Sequence, residues 1–126
     1  MFELPDVMRM AQQMARHAAA RQVVISENVA HADTPGYQAR DLPSFGDVIG
    51  NGLSMRATRA GHFGFDAAGA AASARVDTTA TSRSPNGNTV SLEQQMMRAA
   101  ETRQSHDMAL SVYASARNIL RKALGN

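Results

Sequence analysis

The feature that most constrains the fold is a long N-terminal stretch without a helix breaker, closed abruptly by proline and glycine. Between Pro5 and Pro35 the sequence contains neither of these residues. Small and apolar residues recur there every three or four positions, which predicts one narrow stripe on a helix, close to a coiled-coil seam. The stripe consists of Met8, Ala11, Ala15, Ala18, Gln22, Ile25, Val29 and Ala32. We therefore predict a helix over residues 5–32, roughly 40 Å long at about 1.5 Å per residue.

The predicted helix runs into a turn whose residue types follow from backbone geometry. The ring of Pro35 disfavours a helical conformation at Thr34, and it presets the first central position of a turn. Gly36 supplies the positive φ that a type II turn requires at the second central position. Asn28 has an amide that can bind backbone groups left unpaired at a helix end. Tyr37 offers an apolar ring with a polar tip for docking the outgoing chain.

A second long helix is predicted over residues 91–124. Ser91 followed by Gln94 has the form of a capping box at its start. Glu93 in the first turn and basic residues in the last turn complement the helix dipole. Gly125 then ends the helix, which would be roughly 50 Å long.

The second helix carries two neighbouring stripes of apolar residues. The first stripe, with Arg103, His106 and Arg117 in its polar slots, is Leu92, Met96, Ala99, Leu110, Tyr113, Leu120 and Leu124. The adjacent stripe is Ala109, Val112, Ala116, Ile119 and Ala123. Two stripes make the apolar face wide in the C-terminal half of this helix.

The middle of the chain, residues 33–90, gives a much weaker pattern. Phe45, Val48 and Ile49 are spaced as in one short amphipathic turn ahead of Gly50, and strand character is confined to the region near residues 74–79. Residues 53–88 are rich in Gly, Ala, Ser, Thr and Arg, and residues 83–88 are dense in turn formers. This composition buries too little apolar surface to be firmly ordered alone, so a small hairpin or a mobile loop is expected.

These patterns predict a single all-α domain, residues 1–126. Its two long terminal helices pack as an antiparallel coiled-coil-like hairpin around an irregular or small β middle. Each helix packs one stripe against the other helix. The remaining apolar surface favours association, because its burial would contribute about 25 cal/mol of stabilising free energy per Å². The predicted assembly residues are Met8, Ala11, Ala15, Ala18, Ile25, Leu92, Met96, Leu110, Val112, Tyr113, Ala116, Ile119 and Leu120.

Composition excludes several classes of function. The formal net charge is only +2, aromatic residues make up 5%, and tryptophan is absent, which disfavours nucleic-acid binding. The absence of cysteine excludes a disulfide, a thiol nucleophile and a thiolate metal site. The sequence contains no run of 18 apolar residues, so no membrane-spanning helix is predicted. The N-terminus lacks the layout of a cleaved secretory signal.

Two arrangements resemble catalytic groups, and neither is convincing. Ser105-His106-Asp107 contains the residue types of a triad, but successive helix residues point about 100° apart and cannot face one another. His31 and Asp33 could meet around the turn as an acid–base pair. No nucleophile or second carboxylate lies nearby, so a capping role is preferred. We therefore predict a protein that is not an enzyme.

The remaining polar residues predict no ligand site. The histidines show no metal-ligand spacing, no phosphate-loop pattern is present, and His17 with Arg21 one turn later is typical of a solvated helix face. Scattered arginines could contact an acidic partner but are more often solvated. The residues considered are His17, His31, His62, His106, Arg56, Arg59, Arg75 and Arg83. We predict no metal, no cofactor and no small-molecule substrate.

The turn identifies a family resemblance. Seven residues in register resemble the signature of the bacterial flagellar axial proteins, which form the rod, the hook and its associated structures. They are Asn28, Val29, Ala30, Thr34, Pro35, Gly36 and Tyr37. His31 departs from the asparagine usual in that signature. The layout of two terminal helices around a variable middle is also that of the family.

Within this family, the short middle resembles the rod rather than the hook proteins, which carry large inserted domains. Residues 90–97, and more weakly Thr58 followed by His62, are similar to one of the two short proximal rod proteins, and the other is a close alternative. The resemblance implies a structural subunit that transmits torque from motor to hook. It further implies export through the flagellar type III apparatus without a cleaved signal and assembly in the periplasm. The implied partners are other rod subunits, further copies of the chain, and membrane-ring and export-gate proteins. Another secreted helical-hairpin adaptor of a type III system is the alternative.

Overall fold

The computed structural model describes residues 4–53, 73–80 and 83–125. The elements in chain order are helix α1 (Leu4–Ala30), strand β1 (Arg40–Asp41), helix α2 (Phe45–Leu53), strand β2 (Arg75–Val76) and helix α3 (Leu92–Ala123). Four residues considered in the sequence analysis lie outside the described residues: Arg56, Thr58, Arg59 and His62.

The two long helices pack against each other as an antiparallel hairpin, which confirms the predicted fold class. The C-terminal end of α1 meets the N-terminal end of α3, where Asn28 bonds Gln95. At the opposite end, Leu4 and Val7 of α1 lie beside Ile119 of α3. None of the described helices is long and apolar enough to cross a membrane.

The stripe that α3 presents to α1 is small and polar. One residue per heptad is buried there: Gln95, Thr102, Ala109 and Ala116. From α1 the buried residues are Ala11, Ala18, Val24, Ile25 and Asn28. Alanine at four of these nine positions lets the two backbones approach closely, and larger apolar side chains of α3 lie outside the hairpin.

The ends of α3 follow the predicted signals. The Ser91 hydroxyl accepts a hydrogen bond from Gln94 N at 3.4 Å, as an N-cap residue does. Gly125 adopts φ +83°, and its N–H donates to Lys122 O at 3.2 Å. This positive φ ends the helix.

Helix α2 is longer than the short turn predicted around Phe45. Ser44 starts it, because its hydroxyl accepts from Asp47 N at 3.2 Å and donates to the Asp47 carboxylate at 2.6 Å. The helix continues through Gly50 and Gly52 to Leu53. Glycine inside a helix costs only about 1 kcal/mol, so it does not force an end.

The short strands form an antiparallel pair that joins two distant parts of the middle. Arg40 pairs with Val76, and Asp41 pairs with Arg75. The ladder extends through Asp77 N, which donates to Ala39 O at 2.8 Å. The predicted strand near residues 74–79 is thus present but only two residues long.

Candidate functional site

The predicted turn is present and lies against the loop that precedes α3. Gly36 has φ +73°, and Tyr37 N donates to Thr34 O at 3.3 Å, which closes the turn. Gly36 N donates to Asn86 O at 3.0 Å. A Cβ atom on Gly87 would lie 3.5 Å from Gly36 Cα, so two glycines with positive φ meet here.

Asn28 holds the outgoing chain rather than the helix end, which corrects the sequence-based expectation. Its amide Nδ2 donates to Arg40 O at 2.7 Å and to Gln95 Oε1 at 3.1 Å. Its Oδ1 accepts from Arg40 N at 3.0 Å and from the Tyr37 hydroxyl at 3.2 Å. The side chain is 0% exposed. One amide therefore fastens α1, β1, Tyr37 and α3 together.

Asn88 performs the helix-end role that the sequence suggested for Asn28. Its Nδ2 lies 2.8–2.9 Å from the carbonyl oxygens of His31, Ala32 and Thr34. Its Oδ1 accepts from Val90 N at 2.8 Å. These carbonyls follow the last turn of α1, where the helix supplies no donor. We call Asn28, Tyr37, Asn88 and Gln95 the amide cluster.

His31 and Asp33 do not form the acid–base pair considered from the sequence. His31 Nδ1 lies 2.8 Å from Glu27 O and, since a carbonyl only accepts, carries the proton there. The imidazole stacks on the Tyr37 ring, with centroids 4.6 Å apart and planes at 8°. His31 therefore caps the end of α1 and supports the tyrosine.

A charge cluster of Arg21, Asp41, Asp77 and Arg98 lies next to the amide cluster. Arg21 donates through Nε and Nη2 to the two oxygens of Asp41, each at 2.9 Å. Arg98 of α3 reaches Asp41 at 3.5 Å and Asp77 at 2.6 Å. Four separate segments are joined by alternating charges, and the side chains are only 6–24% exposed.

The charge cluster shifts two pKa values away from their ordinary ranges. The hydrogen bonds from Arg21 to Asp41 raise the pKa of Arg21, and burial opposes this effect. Burial favours protonation of Asp77, but hydrogen bonds from Thr79 and Arg98 outweigh it, so the pKa of Asp77 lies below its ordinary value of 3.8. Both shifts favour the charged forms of Arg21 and Asp77 at neutral pH.

His17 and Arg21 were expected on a solvated face of α1, and this expectation is wrong. His17 Nε2 lies 2.8 Å from Pro43 O, and its ring packs at 5.7 Å from Phe45. Arg21 binds Asp41 as described above. One face of α1 therefore anchors β1 and α2.

The other polar candidates stay apart. His106 Nδ1 is 4.0 Å from Asp107 Oδ1, too long for a hydrogen bond. Arg75 and Arg83 are exposed. Within residues 4–53, 73–80 and 83–125, no group of three His, Asp or Glu side chains is placed to hold a metal ion.

The residues of the predicted turn have different surroundings. Asn28 is buried and Tyr37 is half-buried, whereas Val29, Ala30, Thr34, Pro35 and Gly36 are exposed. Asn28 and Tyr37 thus organise the hairpin, and the other five residues present a surface.

The predicted assembly residues divide in the same way. Ala11, Ala18, Ile25 and Ala116 are buried within the hairpin. Met8, Ala15, Tyr113 and Leu120 are half-buried. Leu92, Met96, Leu110, Val112 and Ile119 are exposed. Their role in assembly stays a prediction.

Replacing Gly36 by valine is expected to destabilise the chain by about 2 kcal/mol, because a β-branched residue tolerates positive φ badly. No atom lies within 4 Å of a Cβ at this position, so the cost is conformational rather than steric. Tyr37→Phe loses one hydrogen bond and should cost about 1 kcal/mol. Urea denaturation of both variants checks this order; equal midpoints would show that the turn does not depend on glycine.

The chain is similar to flagellar basal body rod proteins named FlgB. It is 29% identical to the FlgB protein of Salmonella typhimurium over 121 residues, which cover 89% of this chain and 88% of that protein. It is 38% identical to the FlgB protein of Yersinia ruckeri over 69 residues, 48% of this chain and 50% of that protein. A segment of 40 residues is 48% identical to the FlgB protein of Escherichia coli, covering 32% of this chain and 29% of that protein. No protein-family model matches the chain.

Proposed function

We propose that this chain is a structural component of the proximal rod of the bacterial flagellar basal body, equivalent to the FlgB proteins. The observation that carries the proposal is the similarity to a flagellar basal body rod protein over 89% of the chain. The Thr34–Tyr37 turn and the terminal-helix hairpin support it independently. The relatives described above share one name, which favours this rod protein over the other short one of the proximal rod.

Exposed apolar side chains on α3 support assembly as the mechanism. Met96 is 73% exposed, and Leu92, Ile119 and Leu110 are 50–53% exposed. An apolar groove of about 320 Å³ also lies where the start of α1 meets α3, lined in part by Val7, Val112 and Ile119. Contacts with neighbouring subunits would bury these surfaces, which stabilises the assembly by about 25 cal/mol for each Å² of apolar area removed from water.

A rod must transmit torque without bending, and the hairpin suits this task. Long helices resist extension along their axes because every turn is hydrogen-bonded. The amide cluster and the charge cluster fix the pair of strands β1 and β2 to both helices, so load is shared between them. Other rod subunits and further copies of the chain are the proposed neighbours, with membrane-ring and export-gate proteins at the rod base. The proposed location is the periplasm, reached through the flagellar type III apparatus.

Removal of residues 112–126 is expected to abolish swimming in a flagellated host whose own FlgB protein is deleted and replaced by this chain. The deletion removes Val112, Ile119 and the end of the hairpin, and with them the apolar groove and part of the exposed apolar surface of α3. Soft-agar motility and the recovery of basal bodies provide the measurement. A truncated chain that restores swimming would overturn the proposal.

Because the truncation also removes buried Ala116, a point variant separates assembly from folding. Ile119→Arg places a charge on an exposed apolar position and should impair swimming, while helix content is retained. Asn118→Arg, on an exposed neighbouring position, is the matched control and should swim normally. Normal swimming by both variants would remove this face of α3 from the assembly surface.

A further inference from the structure

Helix α3 carries a second seam that faces away from α1. The seam has alternating spacings of three and four residues, which is the repeat of a coiled coil. Its members are Glu93, Met96, Ala100, Arg103, Asp107, Leu110, Ala114 and Arg117. At about 100° per residue it lies roughly a third of a turn from the buried stripe of Gln95 and Thr102. We call it the exposed seam; its largest apolar members, Met96 and Leu110, are 73% and 50% exposed.

The exposed seam also contains four charged residues. Glu93, Arg103 and Arg117 form no ion pair within the part of the chain that the structure describes, and Asp107 lies only 4.0 Å from His106 Nδ1. Along the helix, the order of these charges is minus, plus, minus, plus. When two copies of the helix lie antiparallel, this order can place each charge opposite a charge of the other sign.

We propose that a second copy of this chain docks on the exposed seam, α3 against α3 in antiparallel orientation, with a two-fold axis midway between Arg103 and Asp107. In this register Arg103 faces the partner's Asp107, and Glu93 faces the partner's Arg117. The two-fold axis repeats each pairing, so every charge of the exposed seam meets the opposite sign. The contact extends over about 36 Å of helix.

The apolar layers between these charges fit the same register. Met96 faces the partner's Ala114, and Ala100 faces the partner's Leu110. Every apolar layer therefore combines one large and one small side chain, which lets the helices approach evenly along the contact. The spacings fit as well. Each seam position that is followed by a spacing of three lies opposite a partner position that is followed by a spacing of four, as in an antiparallel coiled coil.

Other alignments are disfavoured by the same residues. A parallel pair would place Arg103 against the partner's Arg103 and Asp107 against the partner's Asp107. An antiparallel pair shifted by one heptad would place Glu93 against the partner's Leu110 and Met96 against the partner's Asp107. Like charges, or a charge facing an apolar side chain, oppose these registers, so the exposed seam specifies one geometry.

A two-fold contact is closed, since both copies use the same surface and no further copy can join through it. A rod grows by contacts that do not close. The antiparallel dimer would therefore cover the exposed seam and keep the chain out of the polymer until the two copies separate. This consequence rests on the proposed function, whereas the dimer itself does not.

Charge reversal tests the dimer in the purified full chain. Arg103→Glu and Asp107→Arg each create like charges at both symmetric contacts and should raise the dissociation constant at least about tenfold in sedimentation equilibrium. The combined exchange, Arg103→Asp with Asp107→Arg, should restore it. Gln12→Glu, the same kind of charge change at an exposed position of α1, should leave it unchanged. A chain that stays monomeric throughout the concentration series, or an exchange that fails to restore binding, would overturn the proposal.

Cross-linking tests the orientation, since the chain has no native cysteine. A mixture of Ala100→Cys and Leu110→Cys chains should form a disulfide under mild oxidation, because these positions are level in the antiparallel register. Each variant alone should not, since its two copies lie about 15 Å apart. Cross-linking of each variant alone would indicate a parallel pair and overturn the register. A monomeric chain that still restores swimming would reject the dimer and leave the proposed function intact.

Discussion

Replacing Asn28 by alanine is expected to lower the free energy of unfolding by about 3 kcal/mol. The side chain is fully buried and makes four hydrogen bonds, to Arg40 N and O, Gln95 Oε1 and the Tyr37 hydroxyl. Each bond contributes about 1 kcal/mol, and a buried group left without a partner costs about 1–3 kcal/mol. A domain of this size is typically stable by about 5–15 kcal/mol, so this single change removes much of the total.

Asn28→Asp separates hydrogen bonding from packing at this position. The aspartate has almost the same shape, but it loses both Nδ2 donors and directs a carboxylate oxygen at Arg40 O and Gln95 Oε1. We expect it to be at least as destabilising as Asn28→Ala. Gln22→Ala, an amide removed from an exposed position of the same helix, should change the unfolding free energy by less than about 0.5 kcal/mol. Urea denaturation followed by circular dichroism gives these values, and an aspartate variant as stable as the parent chain would contradict the role of the donors.

The elements that local sequence signals define could be predicted. Both long helices follow from their periodicity and from the positions of proline and glycine. The turn follows from Pro35 and Gly36, whose backbone preferences act within four residues. Ser91 marks the start of α3 because an N-cap side chain bonds the backbone three residues later.

On α3, the interior of the hairpin could be predicted only at Ala109 and Ala116, because the other two residues of the inward stripe are polar. Gln95 and Thr102 are 0% and 3% exposed, whereas the more apolar Met96 lies outside. A pattern analysis assigns buried positions by hydrophobicity and therefore selects the wrong stripe. Close packing of alanines and the Asn28–Gln95 bond decide the rotation of α3, and both depend on residues far apart in the chain.

The charge cluster was missed for a related reason. Arg21, Asp41, Asp77 and Arg98 come from four segments, with no spacing that relates them in sequence. The sequence analysis likewise treats Asn88 only as part of a stretch rich in turn formers. Its position shortly before α3 could have indicated a capping role. A polar residue flanked by turn formers at a junction between elements is a candidate for capping a distant helix end.

Replacing Arg98 by methionine is expected to destabilise the chain by about 3 kcal/mol at neutral pH. Arg98 lies between Asp41 and Asp77, and its side chain is 12% exposed. Methionine retains much of the apolar stem, so the main loss is the charge. Asp77, 6% exposed, would then remain charged and largely buried without its cationic partner, which is costly. Arg16→Met, an exposed arginine of α1, is the matched control and should have little effect.

The difference between the parent chain and Arg98→Met should depend on pH in a defined direction. The pKa of Asp77 lies below 3.8 in the folded chain, so the folded state binds fewer protons at this group than the unfolded state does. The stabilisation by Asp77 is therefore fully present above about pH 4 and is lost as the pH falls through the lowered pKa. Loss of Arg98 removes one of the interactions that lower this pKa, so the variant gains less stability than the parent on going from pH 3 to pH 7. Denaturation curves at these two values should show a large difference at pH 7 and a smaller one at pH 3, whereas equal differences would mean that Arg98 acts through packing and not through its charge.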